Sequence, residues 1–260
     1  MIPPVFVADA AMLDAPGGQG GQGGRCGPVG RITLAGSEGR HATTVRRLGP
    51  GKRVNLTDGA GLAAECEVVA ARPASGELDL TVLALRSEPE PRCRVTVLQA
   101  ILKGDRGELA VELMTEVGVD TIVPWAAERS IGRWRPDREE KALARWRIAA
   151  REAAKQSRRS RFPEVAAQAR TAEAAARAAP ADVALLLDAE ADQPLTAISL
   201  PAAGEIVLLV GPEGGISPAE SAELAAAGAI PVRLGPSVLR GSTAGAVAAA
   251  LVLSACGRWG

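Results

Sequence analysis

The sequence is poor in the side chains that proteins most often use to stack on nucleic-acid bases or to exchange protons. Its 260 residues include no tyrosine, two phenylalanines and one histidine, His41. Aromatic platforms for single-stranded RNA are therefore scarce, and a lone histidine is too easily a buried structural residue to be taken as a catalytic base. Trp125, Trp134, Trp146 and Trp259 are predicted to be packing residues.

The cysteines and the charge balance exclude several classes of protein. The four cysteines, at positions 26, 66, 93 and 256, form no CxxC pair, which argues against a zinc site and against a disulfide framework. No bound metal and a reducing compartment are expected. The 30 basic and 30 acidic residues cancel, so any nucleic-acid partner must be met by a local basic patch.

No segment predicts insertion into a membrane. The first ten residues, MIPPVFVADA, lack the basic start and the long apolar stretch of a signal peptide. The longest apolar stretch, residues 244–256, falls short of the roughly 20 residues that span a bilayer. We therefore expect a soluble, cytoplasmic protein with no membrane partner.

Two regions of different pattern divide the chain near residue 88. Before it, VGRITLAG, GKRVNLTDGAG, AECEVVAARP and GELDLTVLALR are short alternating or β-branched runs punctuated by Gly, Pro and Asp-Gly, which predicts a small β-barrel over residues 1–88. The stretch PGGQGGQGGRCG, residues 16–27, predicts a flexible loop. After the link SEPEPR, strands alternate with helices, which predicts an α/β domain over residues 89–260 with a mostly parallel sheet.

Two helices are predicted in the second region. Asp105 is placed to cap the first, whose Leu109, Leu113, Met114 and Val117 are expected on one buried face. The second is expected over residues 137–157. Strands are expected at RVTVLQAIL, TIVPW, VALLLDAE, EIVLLVG and IPVRLG.

Two of these predicted strands end in glycine, at Val210-Gly211 and Leu234-Gly235. Ligands of parallel sheets bind beyond the carboxyl ends of the strands, so GPEGG and LGPSVLRGSTAG are expected at one rim. Neither a GxxxxGK[ST] phosphate loop nor a GxGxxG dinucleotide fingerprint is present. An isolated Gly-Gly pair is usually a structural turn, but two adjacent glycine loops favour a binding site.

The stretches LLVGPEGGISPAE and VRLGPSVLRGSTAGAVAAAL resemble the two C-terminal motifs of the SPOUT superfamily, and specifically of its 16S ribosomal RNA 3-methyluridine methyltransferases. HATTVRRLGPG, LQAILKGDRGELAVELMTEVGV and REAAKQSRRSRFPEV are similar to that family's other blocks, in the same order. The resemblance implies a PUA-like RNA-binding barrel, a C-terminal α/β domain with a trefoil knot, and a homodimer that acts on 16S rRNA or the small subunit.

The resemblance also implies that S-adenosylmethionine is the cofactor, held against backbone atoms of the rim where any side chain would block its approach. The residues implied to hold it are Leu187, Val210, Gly211, Pro212, Glu213, Gly214, Gly215, Leu234, Gly235, Val238, Leu239, Arg240, Thr243 and Ala244.

Methylation of uridine at N3 requires loss of the N3 proton, and the negative charge that then spreads onto O2 and O4 would be stabilised by a fixed arginine. Arg240 is the candidate for this role, and its alternative role is a salt bridge that closes the loop. Gln156 is the second catalytic candidate, as a residue of the base pocket, with helix termination as the alternative. For Glu213 the structural role of binding amides in its own turn is favoured. Where many relatives carry threonine and glutamate, this chain has Gly241 and Ser242, so no carboxylate role is carried over.

RNA contact is predicted from the stretch ARWRIAAREAAKQSRRSRF, residues 144–162, where Glu152 is the single carboxylate among many cations. The alternative is a solvated helix face. The residues predicted to contact RNA are Arg46, Arg47, Lys103, Arg158, Arg159 and Arg161. Two other functions are weighed: a non-catalytic RNA-binding or ribosome-assembly protein, and a methyltransferase that acts on another RNA atom such as a ribose 2′-hydroxyl.

Overall fold

The computed structural model describes residues 3–13 and 30–259. The predicted loop at residues 16–27 and Cys26 lie outside the described residues. Within the described part of the chain, no helix combines the length and the apolar character that crossing a membrane requires.

The described chain forms two compact units. The first contains the described residues up to Glu90 together with Ala154–Phe162, and the second contains Pro91–Ala153 and the described residues from Pro163 onward. Residues 154–162 thus pack with the N-terminal unit, although the prediction included them in the second domain. The domain boundaries at residues 88 and 89 stay a prediction.

The first unit is built on a five-stranded sheet with the strand order β1-β3-β4-β5-β2. Strand β1 pairs in parallel with β3, and the other pairs are antiparallel. Alternation along β5 places Leu78, Leu80 and Val82 in the core. The four strands predicted here are present, and β1 was not predicted. The strands are β1 Val5–Val7, β2 Gly30–Leu34, β3 Arg53–Thr57, β4 Leu62–Arg72 and β5 Glu77–Ser87.

Short helical segments complete the first unit. Helix α1 spans Ala10–Leu13, and α2 spans Gly36–Arg40 and continues into a π-helical turn at His41–Val45. His41 is half-buried and its ring meets Phe6 edge to face, with centroids 5.8 Å apart. This packing fits the structural role expected for the lone histidine.

The second unit is an α/β fold around a six-stranded, fully parallel sheet with the order β11-β9-β10-β6-β7-β8. The predicted alternation of strands and helices is confirmed. Its strands are β6 Cys93–Ala100, β7 Thr121–Trp125, β8 Glu164–Val165, β9 Val183–Leu187, β10 Gly204–Val210 and β11 Ala229–Val232. Its helices are α3 Arg106–Val117, α4 Glu139–Gln156, α5 Thr171–Ala178, α6 Pro218–Ala226 and α7 Gly241–Ala255, with a 3₁₀ turn at Leu195–Ala197. The last turn of α4 lies in the first unit.

Both faces of this sheet are covered, as a continuous apolar strand such as β10 requires. Ile206, Leu208 and Val210 belong to one core cluster, which includes side chains of α3 and α7. Val207 and Leu209 belong to the other, which includes side chains of α5 and α6. The sheet is therefore rigidly held at the strand ends that border the predicted rim.

Three local predictions are corrected. Leu109 is 44% exposed, because the buried face of α3 is formed by smaller neighbours such as Gly107 and Ala110. Asp105 occupies the N-cap position of α3, but its side chain makes no capping hydrogen bond. Trp259 is 55% exposed and so is not a packing residue, whereas Trp125 is fully buried.

The last predicted strand is shorter than expected. Strand β11 ends at Val232, so Leu234 and Gly235 follow it instead of closing it. The trefoil knot concerns how the chain is threaded, which strand order and register do not determine, and it stays a prediction.

Candidate functional site: a glycine-bordered cleft

A cleft of about 670 Å³ opens beyond the carboxyl ends of β9, β10 and β11 in the second unit. Its volume lies in the range of small-molecule sites. The walls combine apolar side chains such as Leu186 and Ile216 with the bare backbone of two glycine loops. The structure thus brings together the two glycine loops that were predicted to share one rim.

The predicted cofactor residues converge on this cleft, with one exception. Thr243 does not line it: it lies in the first turn of α7, where its N–H donates to the Arg240 carbonyl at 2.9 Å. The residues that do line it are Leu187, Val210, Gly211, Pro212, Glu213, Gly214, Gly215, Leu234, Gly235, Val238, Leu239, Arg240 and Ala244.

The cleft glycines serve different purposes. A Cβ on Gly214 would lie 2.8 Å from the carbonyl oxygen of Arg129, and one on Gly211 would lie 2.7 Å from the Ile216 side chain. Gly215 has φ +74°, a left-handed conformation that favours glycine. Only at Gly235, among these four, is the backbone conformation ordinary and the space around a Cβ open to 4 Å. Gly235 is therefore the one of these four cleft glycines where a side chain fits without disturbing the protein.

One charged residue of the cleft, Glu213, makes a contact that was not predicted. Glu213 faces Arg106 at 3.7 Å, an ion pair between the loop after β10 and the start of α3. The favoured role of Glu213, binding amides in its own turn, is not observed among the described contacts. This ion pair links the glycine loop to the neighbouring helix.

Arg240 is the N-cap residue of α7 and is exposed at the cleft. Its carbonyl accepts hydrogen bonds from the N–H groups of Thr243 and Ala244, both at 2.9 Å. Within residues 3–13 and 30–259 its guanidinium forms no ion pair, so the alternative role as a loop-closing salt bridge has no partner there. Its backbone is fixed while its charge is available to a ligand.

Sequence reasoning missed four charged residues of the cleft. Asp188 and Glu190 follow β9, and Arg106 and Arg129 come from segments that follow β6 and β7. The run LLLDAE carried a usable signal, because two carboxylates directly follow a buried strand whose carboxyl end borders the rim. Arg129 had no such signal, since three residues separate it from the end of its strand.

A buried carboxylate, Glu220, organises the loops around the cleft. One of its oxygens accepts the Glu128 N–H at 2.8 Å and the Thr171 hydroxyl at 2.9 Å, and the other accepts the Ser217 N–H at 3.1 Å. Glu220 also closes a capping box with Ser217 at the start of α6. Burial alone would raise the pKa of Glu220, but these hydrogen bonds outweigh it, and the pKa lies below its usual range.

The predicted RNA-contacting stretch is partly occupied by contacts within the protein. Arg145 pairs with Glu108 at 3.3 Å, and Arg147 pairs with Glu140 at 3.2 Å. In the first unit, the buried Lys155 pairs with Glu38 at 3.0 Å. The charge excess that the sequence shows is therefore larger than the charge available to RNA.

Arg161 is also committed within the first unit. Its guanidinium donates to the Glu88 and Pro89 carbonyls at 2.7–3.1 Å and lies over Gly61. It is accordingly left out of the RNA-contacting set proposed below. Gln156 is the exposed last residue of α4, and its catalytic role stays a prediction.

Arg158 and Arg159 line a small cavity of about 130 Å³ in the first unit, beside Asn55 and Arg86. Arg158 has φ +61°, a left-handed conformation that is uncommon for arginine. Arg46 and Arg47 are exposed in the same unit, and Lys103 is exposed in the second unit after β6. Arg46, Arg47, Lys103 and Arg158 keep an exposed position suited to phosphate contact, whereas Arg159 is half-buried.

The described cysteines offer no nucleophile. Cys66, Cys93 and Cys256 are buried and free, and burial raises the pKa of Cys66 and of Cys93 to about 12. Nor does the described part of the chain group three or more His, Cys, Asp or Glu side chains as a metal site would require. The chemistry of the cleft rests on arginines, carboxylates and backbone.

Comparison with known families defines the class of protein. An RNA methyltransferase domain matches residues 88–253, and the PUA domain found in RNA methyltransferases matches residues 34–78. The parallel α/β unit with its cleft and the mostly antiparallel N-terminal unit are thus those of an RNA methyltransferase.

Individual proteins similar to this chain identify its family within the RNA methyltransferases. The ribosomal RNA small subunit methyltransferases E of Mycobacterium bovis and Mycobacterium tuberculosis are each 46% identical to this chain over 228 residues, which is 86% of both chains. A crystal structure of the enzyme of that name from Neisseria gonorrhoeae, bound to S-adenosyl methionine, has a TM-score of 0.78 at 26% identity and covers 97% of this chain and 98% of its own. This chain belongs to the family of the ribosomal RNA small subunit methyltransferase E.

Proposed function

We propose that this protein transfers a methyl group from S-adenosylmethionine to N3 of a uridine in 16S ribosomal RNA. The observation that carries the proposal is the cleft beyond β9, β10 and β11, where two glycine loops that are distant in sequence meet. Membership of the methyltransferase family supplies the substrate class.

The cleft fits this cofactor in size and in chemistry. Leu187, Val210 and Leu234 offer apolar contact for a base, and Asp188 and Glu190 offer acceptors for hydroxyl or ammonium groups. The open space beside Gly235 lets a ligand approach the backbone. The proposed cofactor residues are the predicted set without Thr243.

When bound, S-adenosylmethionine supplies a methyl group on a sulfonium sulfur. The protein has to hold the uracil so that N3 faces that methyl group, with the base unpaired because N3 lies on its Watson–Crick edge. The N3 proton passes to solvent water, and the negative charge that remains spreads onto O2 and O4 until N3 takes up the methyl group. Arg240, fixed through its backbone at the start of α7, is proposed to stabilise that charge. Gln156 is proposed to contact the base.

RNA is proposed to bind through cations outside the cleft, all of them exposed except the half-buried Arg159. Arg46, Arg47, Arg158 and Arg159 belong to the first unit, and Lys103 to the second. Phosphate contacts of this kind supply affinity without sequence information. A ribosomal substrate would place the protein in the cytoplasm.

We propose in addition that the protein is a homodimer. Val238 at the cleft is 81% exposed, and Leu239 beside it is 37% exposed. Apolar side chains at such exposure are suited to burial by a second subunit. Sedimentation analysis of the purified protein measures this directly, and a monomer at micromolar concentration would contradict it.

The function is tested by mapping modified nucleotides on 16S rRNA from a strain that lacks this gene. The expected result is the loss of one 3-methyluridine, which returns when the gene is restored and returns to a smaller extent when the Gly235→Val form is supplied at the same level. An unchanged modification pattern in the deletion strain would contradict the proposal. Comparing free rRNA with assembled subunits as substrates identifies the form that is methylated.

A further inference from the structure

Arg129 is a cation of the cleft that the proposed mechanism has not used. It lies in the loop of residues 126–138 between β7 and α4, and its side chain is exposed and lines the cleft. Across the described residues, no carboxylate pairs with its guanidinium. Arg106, by contrast, is offset by Glu213.

The backbone around Arg129 is held from two sides. On one side, Glu220 accepts the N–H of the preceding residue, Glu128, at 2.8 Å. On the other, Gly214 packs so closely on the Arg129 carbonyl that no other residue fits at position 214 without movement. These contacts therefore hold the loop that carries Arg129 in a fixed position relative to the glycine loop of the cleft.

Glu220 is itself fixed by a chain of hydrogen bonds. The Trp125 Nε1–H donates to the Thr171 hydroxyl at 3.3 Å, and that hydroxyl donates to Glu220 at 2.9 Å. Trp125 is fully buried at the end of β7, and Glu220 is 5% exposed. A buried, satisfied network of this kind rigidifies the residues that it joins. Arg129 therefore combines an exposed side chain with a backbone that is held in place by a buried hydrogen-bond network.

The order of strands separates opposite charges along the cleft. Asp188 and Glu190 follow β9 on one side of β10, whereas Arg106 and Arg129 follow β6 and β7 on the other side. The loop after β7 also carries Ile131, which is 62% exposed. A cation with an exposed apolar side chain two residues away suits a nucleotide, which joins an anionic phosphate to an apolar base.

We propose that Arg129 contacts an oxyanion of the RNA substrate at the β7 side of the cleft, and that Glu220 is the residue that positions it. The proposal rests on the proposed methyl transfer to RNA. The oxyanion is either a phosphate beside the target nucleotide or a carbonyl oxygen of the target base as it gains charge. Both are recognised by the planar guanidinium donors of arginine.

The test compares Arg129→Ala with the matched control Arg135→Ala. Arg135 lies in the same loop, does not line the cleft, and pairs with Asp137 at 3.2 Å. Three quantities are measured for each: affinity for S-adenosylmethionine by calorimetry, affinity for small-subunit RNA as a function of salt, and single-turnover methyl transfer with both ligands saturating.

If Arg129 contacts a phosphate, Arg129→Ala weakens RNA binding about tenfold and lowers the log–log salt slope by roughly one. If it contacts the base, single-turnover transfer falls by about 10²-fold and the salt slope is unchanged. Cofactor affinity stays within about twofold in either case, and Arg135→Ala resembles the unmodified protein. Weakened cofactor binding as the only defect would overturn the proposal and assign Arg129 to the cofactor's carboxylate. No defect at all would also overturn it.

The positioning role of Glu220 is tested by a double-mutant cycle below the melting temperature of every variant. If Glu220→Gln acts through Arg129, it reduces the same step as Arg129→Ala, and the double variant is no slower than Arg129→Ala alone. Multiplicative effects would mean that Glu220 acts independently of Arg129, and no effect of Glu220→Gln on that step would mean that Glu220 contributes only to folding; either result would overturn the positioning role. Absence of methyl transfer by the unmodified protein is a different result, because it contradicts the proposed function itself.

Discussion

Replacing Gly235 with valine separates cofactor binding from folding more cleanly than any other change in the cleft. A Cβ at this position meets no atom within 4 Å, and the backbone is outside the left-handed region. At Gly214, in contrast, a Cβ would lie 2.8 Å from the Arg129 carbonyl oxygen. Gly214→Val would therefore perturb the protein whether or not a cofactor binds there.

The magnitude follows from what the valine displaces. Without a ligand its side chain projects into open space, so the free energy of unfolding should change by at most about 0.5 kcal/mol, which corresponds to a melting-temperature shift of roughly 1–2 °C. With a ligand it competes for a packed site, where overpacking costs about 1–3 kcal/mol. That cost corresponds to roughly 5- to 150-fold weaker binding.

The assay is calorimetric titration with S-adenosylmethionine, together with thermal denaturation of the free protein. Gly49→Val is the matched control, because Gly49 also has open space and an ordinary backbone conformation but lies in the first unit. It should bind the cofactor normally. Unchanged cofactor affinity in Gly235→Val, with an unchanged melting temperature, would show that the cofactor does not bind against this loop.

Three further predictions concern other parts of the molecule. Arg240→Ala should lower the rate of single-turnover methyl transfer by about 10²-fold with both ligands saturating, because a charge-stabilising donor is lost. A near-normal rate would show that Arg240 has no catalytic role. Alanine at both Arg158 and Arg159 should weaken RNA binding and lower its log–log salt slope by roughly one per lost phosphate contact, and an unchanged slope would identify a solvated surface. Glu220→Gln should lower the free energy of unfolding by about 1–3 kcal/mol at pH 7, because the glutamine oxygen can replace one carboxylate oxygen but its amide nitrogen cannot accept the Ser217 N–H. Folding lowers the pKa of Glu220 from 4.5, so its contribution to stability is present above that unfolded-state pKa and is lost as pH falls through the lower folded-state pKa. The gap in melting temperature between the two forms should therefore narrow as pH falls below 4.5, and a constant gap would contradict this account.

The strands and the rim were predicted well, because they follow from patterns that are local in the sequence. The alternation in ELDLTVLALRS and the apolar run of β10 define strands directly, because each side chain's face follows from its position. The rim was predictable for the same reason: Gly211 follows a buried strand, and parallel strands bring their carboxyl ends to one edge.

Contacts between distant segments were not predictable in this way. The hydrogen bond from Glu128 to Glu220 joins residues 92 positions apart, and nothing in the local pattern distinguishes Glu220 from an ordinary helix-capping glutamate. The buried face of α3 was misjudged at Leu109, because Gly107, Ala110 and Thr115 let neighbouring elements approach closely. Arg161 was assigned to RNA from the local charge excess and from the resemblance of its segment to a family block, while its partners are carbonyl groups more than 70 residues earlier in the chain.

The central claim is tested most directly by methyl transfer in vitro. Purified protein is incubated with labelled S-adenosylmethionine and with 16S rRNA or small subunits that lack the modification, and the RNA is then digested and its nucleosides are separated by mass spectrometry. The expected result is label in 3-methyluridine alone, with an initial rate roughly 3- to 75-fold lower for the Gly235→Val form at a cofactor concentration near the dissociation constant of the unmodified protein, as the weaker binding requires. Label in a 2′-O-methylated nucleoside, or no label in either form of the substrate, would contradict the account.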